Sequence, residues 1–284
     1  MEPRLLFLIL FCLIIGLLHV IAFWRRKAGE TAYAAARNTR REYEREYYCR
    51  MAVMAGHKEA CRMYCIMHSD FFEDQHPLKP YKFKGMNVTF FGHYYPSRFG
   101  ELLDIEQRRF CEELYSFKDG KNDGQNFFRL CMEAIKTGKK TYHVMFMPCS
   151  SHEKYVCRFR QLDKYITSYY PNLTSGFGDI DLYGYRESLH KAKGNENRKL
   201  SRNYRITGNI SGKEVIIIDD VLTTGQSLND YRREIESCGG KVTAALFYGK
   251  TVEMPHPFIV KIVVWSSHIA VSYTHLTLPT TPYV

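Results

Sequence analysis

Residues 5–24, LLFLILFCLIIGLLHVIAFW, contain no Asp, Glu, Lys or Arg, and this run sets residues 1–27 apart from anything a soluble domain would need. At about 1.5 Å rise per residue, a helix of this length covers the roughly 30 Å hydrocarbon core of a bilayer. Gly16 and His19 are its soft spots. Arg25, Arg26 and Lys27 follow at once, whereas only Arg4 and the amino terminus precede, offset by Glu2. The positive-inside rule then predicts a single-pass membrane protein with the bulk of the chain in the cytoplasm. The rival reading is a cleaved secretory signal. It would have a shorter apolar region, basic residues in front and a small-x-small cleavage site. The order of charges favours the anchor.

The remaining composition is that of a globular protein, 45% hydrophobic and 14% aromatic, which excludes wholesale disorder and fibrous repeats. Lys and Arg number 40 against 30 Asp and Glu, a formal +10. That excess favours anionic partners such as phosphorylated metabolites, nucleic acid or acidic lipid without choosing among them. The nine cysteines (12, 49, 61, 65, 111, 131, 149, 157, 238) form no C-x-x-C pair. Neither a disulfide framework nor a zinc ribbon is indicated, and a reducing compartment is expected. Cys61 and Cys65 sit at helical spacing as packed thiols. The N-x-[ST] triplets at Asn87, Asn172 and Asn209 carry no meaning in a cytosolic domain.

Residues 28–75 are expected to be a helical segment and linker. Alanines and interleaved Arg and Glu cover 30–69, and residues 47–66 read as two helices broken at Gly56-His57. That pair resembles one Sel1-like repeat, though such repeats need neighbours to bury their faces; a plain helical spacer is the alternative. Residues 86–95 alternate apolar and polar, the pattern of a strand or hairpin. Helices are predicted at 101–117 and 127–137, separated by the KDGKNDG loop at 118–124. An apolar run at 142–147 leads to Pro148, followed by a helix near 155–169, a polar loop region at 174–212, a strand at 214–219, a helix at 227–238 and a strand at 241–248. This alternation predicts an α/β fold, a parallel sheet flanked by helices, over 82–265. Residues 271–284, VSYTHLTLPTTPYV, are read as an artefactual tail from translated adaptor sequence, with no functional weight.

Residues 215–228, VIIIDDVLTTGQSL, hold the most chemistry. Four β-branched residues predict a strand buried on both faces, ended by Asp219 and Asp220. Thr223, Thr224, Gly225, Gln226 and Ser227 then open a helix. Ligands of open α/β sheets gather at such carboxyl ends, and a glycine turn entering a helix offers free N–H groups and the positive helix end to a phosphate. Two acids beside a phosphate make sense only if the ligand also carries vicinal hydroxyls or Mg²⁺. A ribose 5-phosphate meets both conditions, provided that the two carboxylates face a cleft. Two competitors fare worse. A Walker B element needs a P-loop, and GNISGKE at 208–214 lacks its spacing and precedes a strand. An ordinary βα turn with a threonine cap leaves the paired acids unexplained.

The apolar run, two acids, apolar pair, T-T-G and small polar residue resemble the phosphoribosyl-pyrophosphate (PRPP) motif of type I phosphoribosyltransferases. The resemblance implies that fold for 82–265, and it assigns Asp219 and Asp220 to the ribose hydroxyls, catalysis and Mg²⁺. Val221, Leu222, Thr223, Thr224, Gly225, Gln226 and Ser227 would hold substrate, chiefly its 5-phosphate. The segments FMPCSSHEKYVCRFRQL and LYSFKDGKN resemble the ComF-like branch, placing Cys149, Ser150 and Ser151 in the pyrophosphate loop. The zinc ribbon common in that branch is absent. The basic stretch 186–205 is read as a mobile loop offering Lys191, Lys193, Arg198, Lys199 or Arg202 to the leaving group; solvated surface is the alternative for each one. Cys149 lacks a His/Asp partner pattern for nucleophilic work, and His143 and His152 are read as structural or solvated. The implied reaction displaces pyrophosphate from PRPP by an unidentified acceptor, selected by a hood that includes residues 82–100. The resemblance leaves a homodimer open. A non-catalytic PRPP- or nucleotide-binding role, or ComF-like DNA uptake, is the second reading.

Overall fold

Val215, Ile216, Ile217 and Ile218 are fully buried, as a strand covered on both faces requires. They form the middle of β7 (Glu214–Leu222), which is central to a six-stranded sheet of order β1-β2-β8-β7-β3-β4. The computed structural model describes residues 3–136, 138, 140–183 and 203–276. The chain divides into two compact units, residues 74–252 and residues 1–73 with 253–284.

In the 74–252 unit, β1 (Tyr81–Phe83) and β2 (Met86–Tyr94) form an antiparallel hairpin at one sheet edge, closed by Lys84 and Gly85, both at positive φ. Every other pairing in this sheet is parallel: β2 with β8 (Lys241–Thr251), β8 with β7, β7 with β3 (Tyr142–Phe146), and β3 with β4 (Leu173–Ser175). Between β2 and β3 lie a 3₁₀ turn at Ser97–Leu102, then α5 (Ile105–Lys118) and α6 (Gln125–Ile135). A full capping box between Asp104 and Gln107 starts α5. The helix α7 (His152–Tyr169) joins β3 to β4, and α8 (Gln226–Ser237) joins β7 to β8. The core joins sheet to helices through aromatics: Tyr248 stacks on Phe117 with centroids 5.1 Å apart, and Phe117 also meets Phe127 and Phe159. Each such ring, fully buried, contributes about 1.5–3 kcal/mol.

Two expectations for this unit need correction. Asp219 and Asp220 do not end the strand. β7 runs on to Leu222 because β8 continues the ladder beside it, pairing Asp219 with Phe247, Val221 with Gly249 and Leu222 with Lys250. The 174–212 region is also not wholly loop: β4 occupies its start, and β5 (Ile180–Leu182) pairs antiparallel with β6 (Tyr204–Ile206). Their residues are too few and too polar to announce strands by pattern; the pairing itself supplies the order. Residues 184–202, which include Lys191, Lys193, Arg198, Lys199 and Arg202, lie outside the described residues.

The other unit begins with α1 (Pro3–Asn38), which is long and apolar enough to cross a membrane. Phe11, Leu13, Leu17, Leu18, Ile21 and Trp24 are exposed on it, and the His19 ring Nδ1 donates to the Ile15 carbonyl, 2.8 Å away. The helix pair expected at 47–66 is α2 (Glu42–Ala55) and α3 (Lys58–Met67), followed by the short α4 (Ser69–Phe72). The break falls at Gly56, left-handed with φ 91°, and His57, whose side chain caps Ala60 N–H. Cys49, Cys61 and Cys65 are buried there, and burial pushes the Cys49 and Cys65 thiols up to about 12. The last helix, α9 (Pro257–Leu276), belongs to this unit and not to the sheet unit, so the sheet unit closes at Val252 instead of 265. Val260 and Val264 of α9 are buried, and Arg50 of α2 hydrogen-bonds Ser267. Residues 271–276 continue α9 as helix; residues 277–284 lie outside the described residues.

Candidate active site at the switch point of the sheet

The crossover after β3 runs outward to β4, whereas the crossover after β7 runs the opposite way, to β8. Loops leaving adjacent strands in opposite directions open a crevice at their carboxyl ends, the topological switch point where α/β sheets take their ligands. The 147–151 loop and the 223–225 turn both start there, and the Met147 N–H bond to Ile218 O, 2.9 Å, ties their roots together.

The β7–α8 turn is built to leave donors unused. Gly225 caps α8 at φ 74°, with no side-chain cap. Among the described residues no hydrogen bond engages the hydroxyls of Thr223, Thr224 or Ser227, and these three side chains and Gln226 are exposed. Gln226 is turned aside to Asp230 at 2.9 Å. A threonine-capped βα turn would have consumed one of those hydroxyls. Glycine is required on two counts: its φ is left-handed, and a Cβ would lie 2.6 Å from the Phe83 ring. The β1–β2 hairpin thus covers one side of the turn, a contact reinforced where Arg232 donates to the Lys84 carbonyl. Val221 is half-buried, whereas the Leu222 side chain lies in the core, so Leu222 can offer a ligand only backbone.

Asp219 and Asp220 are not two equivalent carboxylates on an open rim. Asp220 Oδ2 meets Arg158 Nη1 at 2.8 Å and Lys118 Nζ at 3.3 Å, while its Oδ1 accepts the Val221 N–H at 2.7 Å. Its side chain is only 10% exposed. Asp219 Oδ1 accepts the Asp220 N–H at 2.8 Å, with Arg158 Nη1 at 4.0 Å, and the two carboxyl groups also hydrogen-bond each other. Burial alone would raise both acids. For Asp220 the Arg158 guanidinium and Lys118 ammonium outweigh burial and hold the carboxyl below its usual range. For Asp219 burial, with the Asp220 charge beside it, pushes the carboxyl well above that range. The two neighbouring carboxyls are thus shifted in opposite directions.

Neither cation was singled out as a site residue from the sequence. Arg158 falls on the buried stripe of α7 with Tyr155, Phe159, Leu162 and Ile166, and a basic residue on an apolar stripe was the available signal. Lys118 ends α5, where the close approach of Gly120 to the Cys157 backbone fixes it; a Cβ on Gly120 would lie 2.3 Å from Cys157 O. Arg158 Nε is buried without a hydrogen-bond partner among the described residues.

The 147–151 loop leads into α7, with Ser151 as its N-cap, accepting the Lys154 N–H at 3.3 Å. Ser150 and Ser151 are half-buried, whereas the Cys149 side chain is buried. Burial pushes the Cys149 thiol up to about 12, which rules it out as a nucleophile near neutral pH. The Cys149 carbonyl accepts Asn203 Nδ2 at 3.0 Å, and Asn203 Oδ1 is buried and unpartnered among the described residues. His143 is structural, held between Thr174 Oγ1 at 2.8 Å and Asp179 Oδ2 at 2.6 Å; His152 is exposed.

Residues 171–275 match the family described as phosphoribosyl transferase domain. The matched segment contains β7, the 223–225 turn and α8, and it starts after β3 and the 147–151 loop. No curated protein matches the chain.

Hard carboxylate oxygen is the donor type Mg²⁺ takes, and Asp219 is the acid of the pair with the more distant cation. No group of three His, Cys, Asp or Glu side chains gathers as a metal site among the described residues. The acids therefore fit a Mg²⁺ that draws most of its shell from phosphate oxygens and water.

Proposed function

We propose that the 74–252 unit is a type I phosphoribosyltransferase of the ComF-like branch, which binds PRPP and transfers its ribose 5-phosphate to an acceptor. The observation that carries this reading is the β7–α8 turn at the switch point, with three uncommitted hydroxyls around a glycine-capped helix start. In this reading the 5-phosphate is held by Thr223, Thr224, Ser227 and the N–H groups of the turn. Asp219 faces the ribose diol. Ser150, Ser151 and the backbone at Cys149 receive the pyrophosphate.

The reaction breaks the bond between the anomeric carbon and the pyrophosphate oxygen, and the electron pair departs with pyrophosphate. The acceptor's lone pair forms the new bond at that carbon, and its proton passes to solvent. Charge builds up positively on the sugar and negatively on the leaving group, so fixed charges at both ends lower the barrier. The Asp220 carboxylate lies on the sugar side. Lys118, half-exposed, would have to leave Asp220 to meet the leaving group. Bound Mg²⁺ supplies neutralisation of pyrophosphate charge, and Asp219 would hold it with phosphate oxygens and water.

In the same reading α1 is a single-pass anchor that keeps this unit on the cytoplasmic side, supported by Arg25, Arg26 and Lys27 directly after the apolar run. Two measurements on the full chain in detergent test the enzyme assignment. PRPP titrated with Mg²⁺ should bind the wild type at least tenfold more tightly than a Thr224→Val/Ser227→Ala variant. A pyrophosphate-release screen over purines, pyrimidines and amines should identify the acceptor. Equal affinities with no release would end the assignment.

A further inference from the structure

One face of α1 turns from apolar to basic where it meets the α2–α3 turn. Leu18, Ile21, Ala22, Arg25, Arg26 and Gly29 recur at helical spacing on that face, and with Glu30 they line a groove of about 710 Å³ that has His57 and Lys58 opposite. Gly29 lets the two sides approach closely, since a Cβ there would lie 3.1 Å from Ala55 Cβ. The basic end is held in place and under-neutralised. Arg25 donates to the Met54 carbonyl at 3.0 Å, which fixes its guanidinium without cancelling its charge. Arg26 is paired with Glu30 at 3.1 Å. Lys58 is exposed, with no ion-pair partner among the described residues.

We propose that this groove is a binding site for one anionic phospholipid, with its phosphate held by Arg25 and Lys58 and an acyl chain laid along Leu18, Ile21 and Ala22. A free phosphate would satisfy the basic end but leave the apolar end wet. From Arg25 to Leu18 the helix rises about 10 Å, the depth over which a bilayer passes from headgroup to acyl chain. Basic pockets at the cytoplasmic end of membrane helices meet anionic headgroups there. The proposal rests on the anchor reading of α1 and is independent of the phosphoribosyl chemistry.

Native mass spectrometry of the full chain in neutral detergent, titrated with phosphatidylglycerol or phosphatidylcholine, tests it. The expected result is a single phosphatidylglycerol adduct, with affinity reduced roughly thirtyfold in Arg25→Gln/Lys58→Gln, given the usual strength of a basic residue at a membrane surface. The same adduct should weaken in Ala22→Trp, which fills the apolar end at unchanged charge. Arg40→Gln/Arg41→Gln, which removes two charges outside the groove, should leave it intact. Equal loss in that control, equal binding of phosphatidylcholine, or displacement by equimolar inorganic phosphate would each overturn the proposal. Failure of the anchor reading shows separately, as an intact mass lacking the first two dozen or so residues, expected for a cleaved signal.

Discussion

Arg158 on α7 places its guanidinium 2.8 Å from the Asp220 carboxylate on β7, with both side chains largely enclosed. This pair joins the helix that follows the 147–151 loop to the strand that precedes the 223–225 turn. Removing the cation alone strands a buried carboxylate. Arg158→Met should therefore cost about 3 kcal/mol of stability, softened by Lys118, which shares the same oxygen. Adding Asp220→Asn to Arg158→Met should recover much of the loss. Urea denaturation of the four proteins in this cycle measures the coupling, and additive losses would show that the pair is not coupled.

The two acids respond to pH with opposite signs. Asp219, pushed up, stabilises the fold fully below the ordinary carboxylate range and loses that contribution as pH rises; Asp220, held down, contributes above that range and loses it on acidification. Asp219→Asn should melt higher than wild type at pH 7 and match it near pH 4, about where an unfolded aspartate titrates. The same variant should bind PRPP more weakly. Thermal melts at the two pH values decide the matter, since an equal shift at both would mean that Asp219 does not titrate as described.

Gly225→Ala combines a left-handed φ with overlap on Phe83. A destabilisation of about 2 kcal/mol is expected, together with loss of PRPP binding. Phe83→Ala added to it should relieve the overlap but not the dihedral strain, so calorimetry should find partial recovery. Full recovery would mean that sterics alone fix the glycine.

Cys149 should be expendable as a thiol. Its side chain is buried and its sulfur is held protonated, so in the proposed reading only its backbone would meet a ligand. Cys149→Ala should keep pyrophosphate release within about threefold of wild type, because only a small packing change is made. Native protein treated with a thiol reagent should remain unlabelled at this position in a peptide map. Loss of activity well beyond that would restore the thiol to the chemistry.

The helix break at Gly56-His57, the buried strand at 215–218 and the glycine-capped start of α8 were legible because each depends on neighbours in sequence: on φ, on helical spacing, on unbroken apolar runs. The ends of these elements were less so. β7 passes through both acids because β8 lies alongside to carry the ladder, and β5 and β6 exist only as each other's partner. Likewise α9 carries enough apolar residues to have closed the sheet unit by composition alone, yet it packs within the helical one.

What the chain determined alone is the turn itself: a glycine with positive φ, followed by a helix whose first N–H groups have no internal acceptor, is a local consequence of TTGQS. What the tertiary structure decided is how the neighbouring charge is arranged. Arg158 and Lys118 reach Asp220 from two separate helices, and Coulomb energy depends on distance in space rather than in sequence. Folding alone drove the proton affinities of the two aspartates in opposite directions.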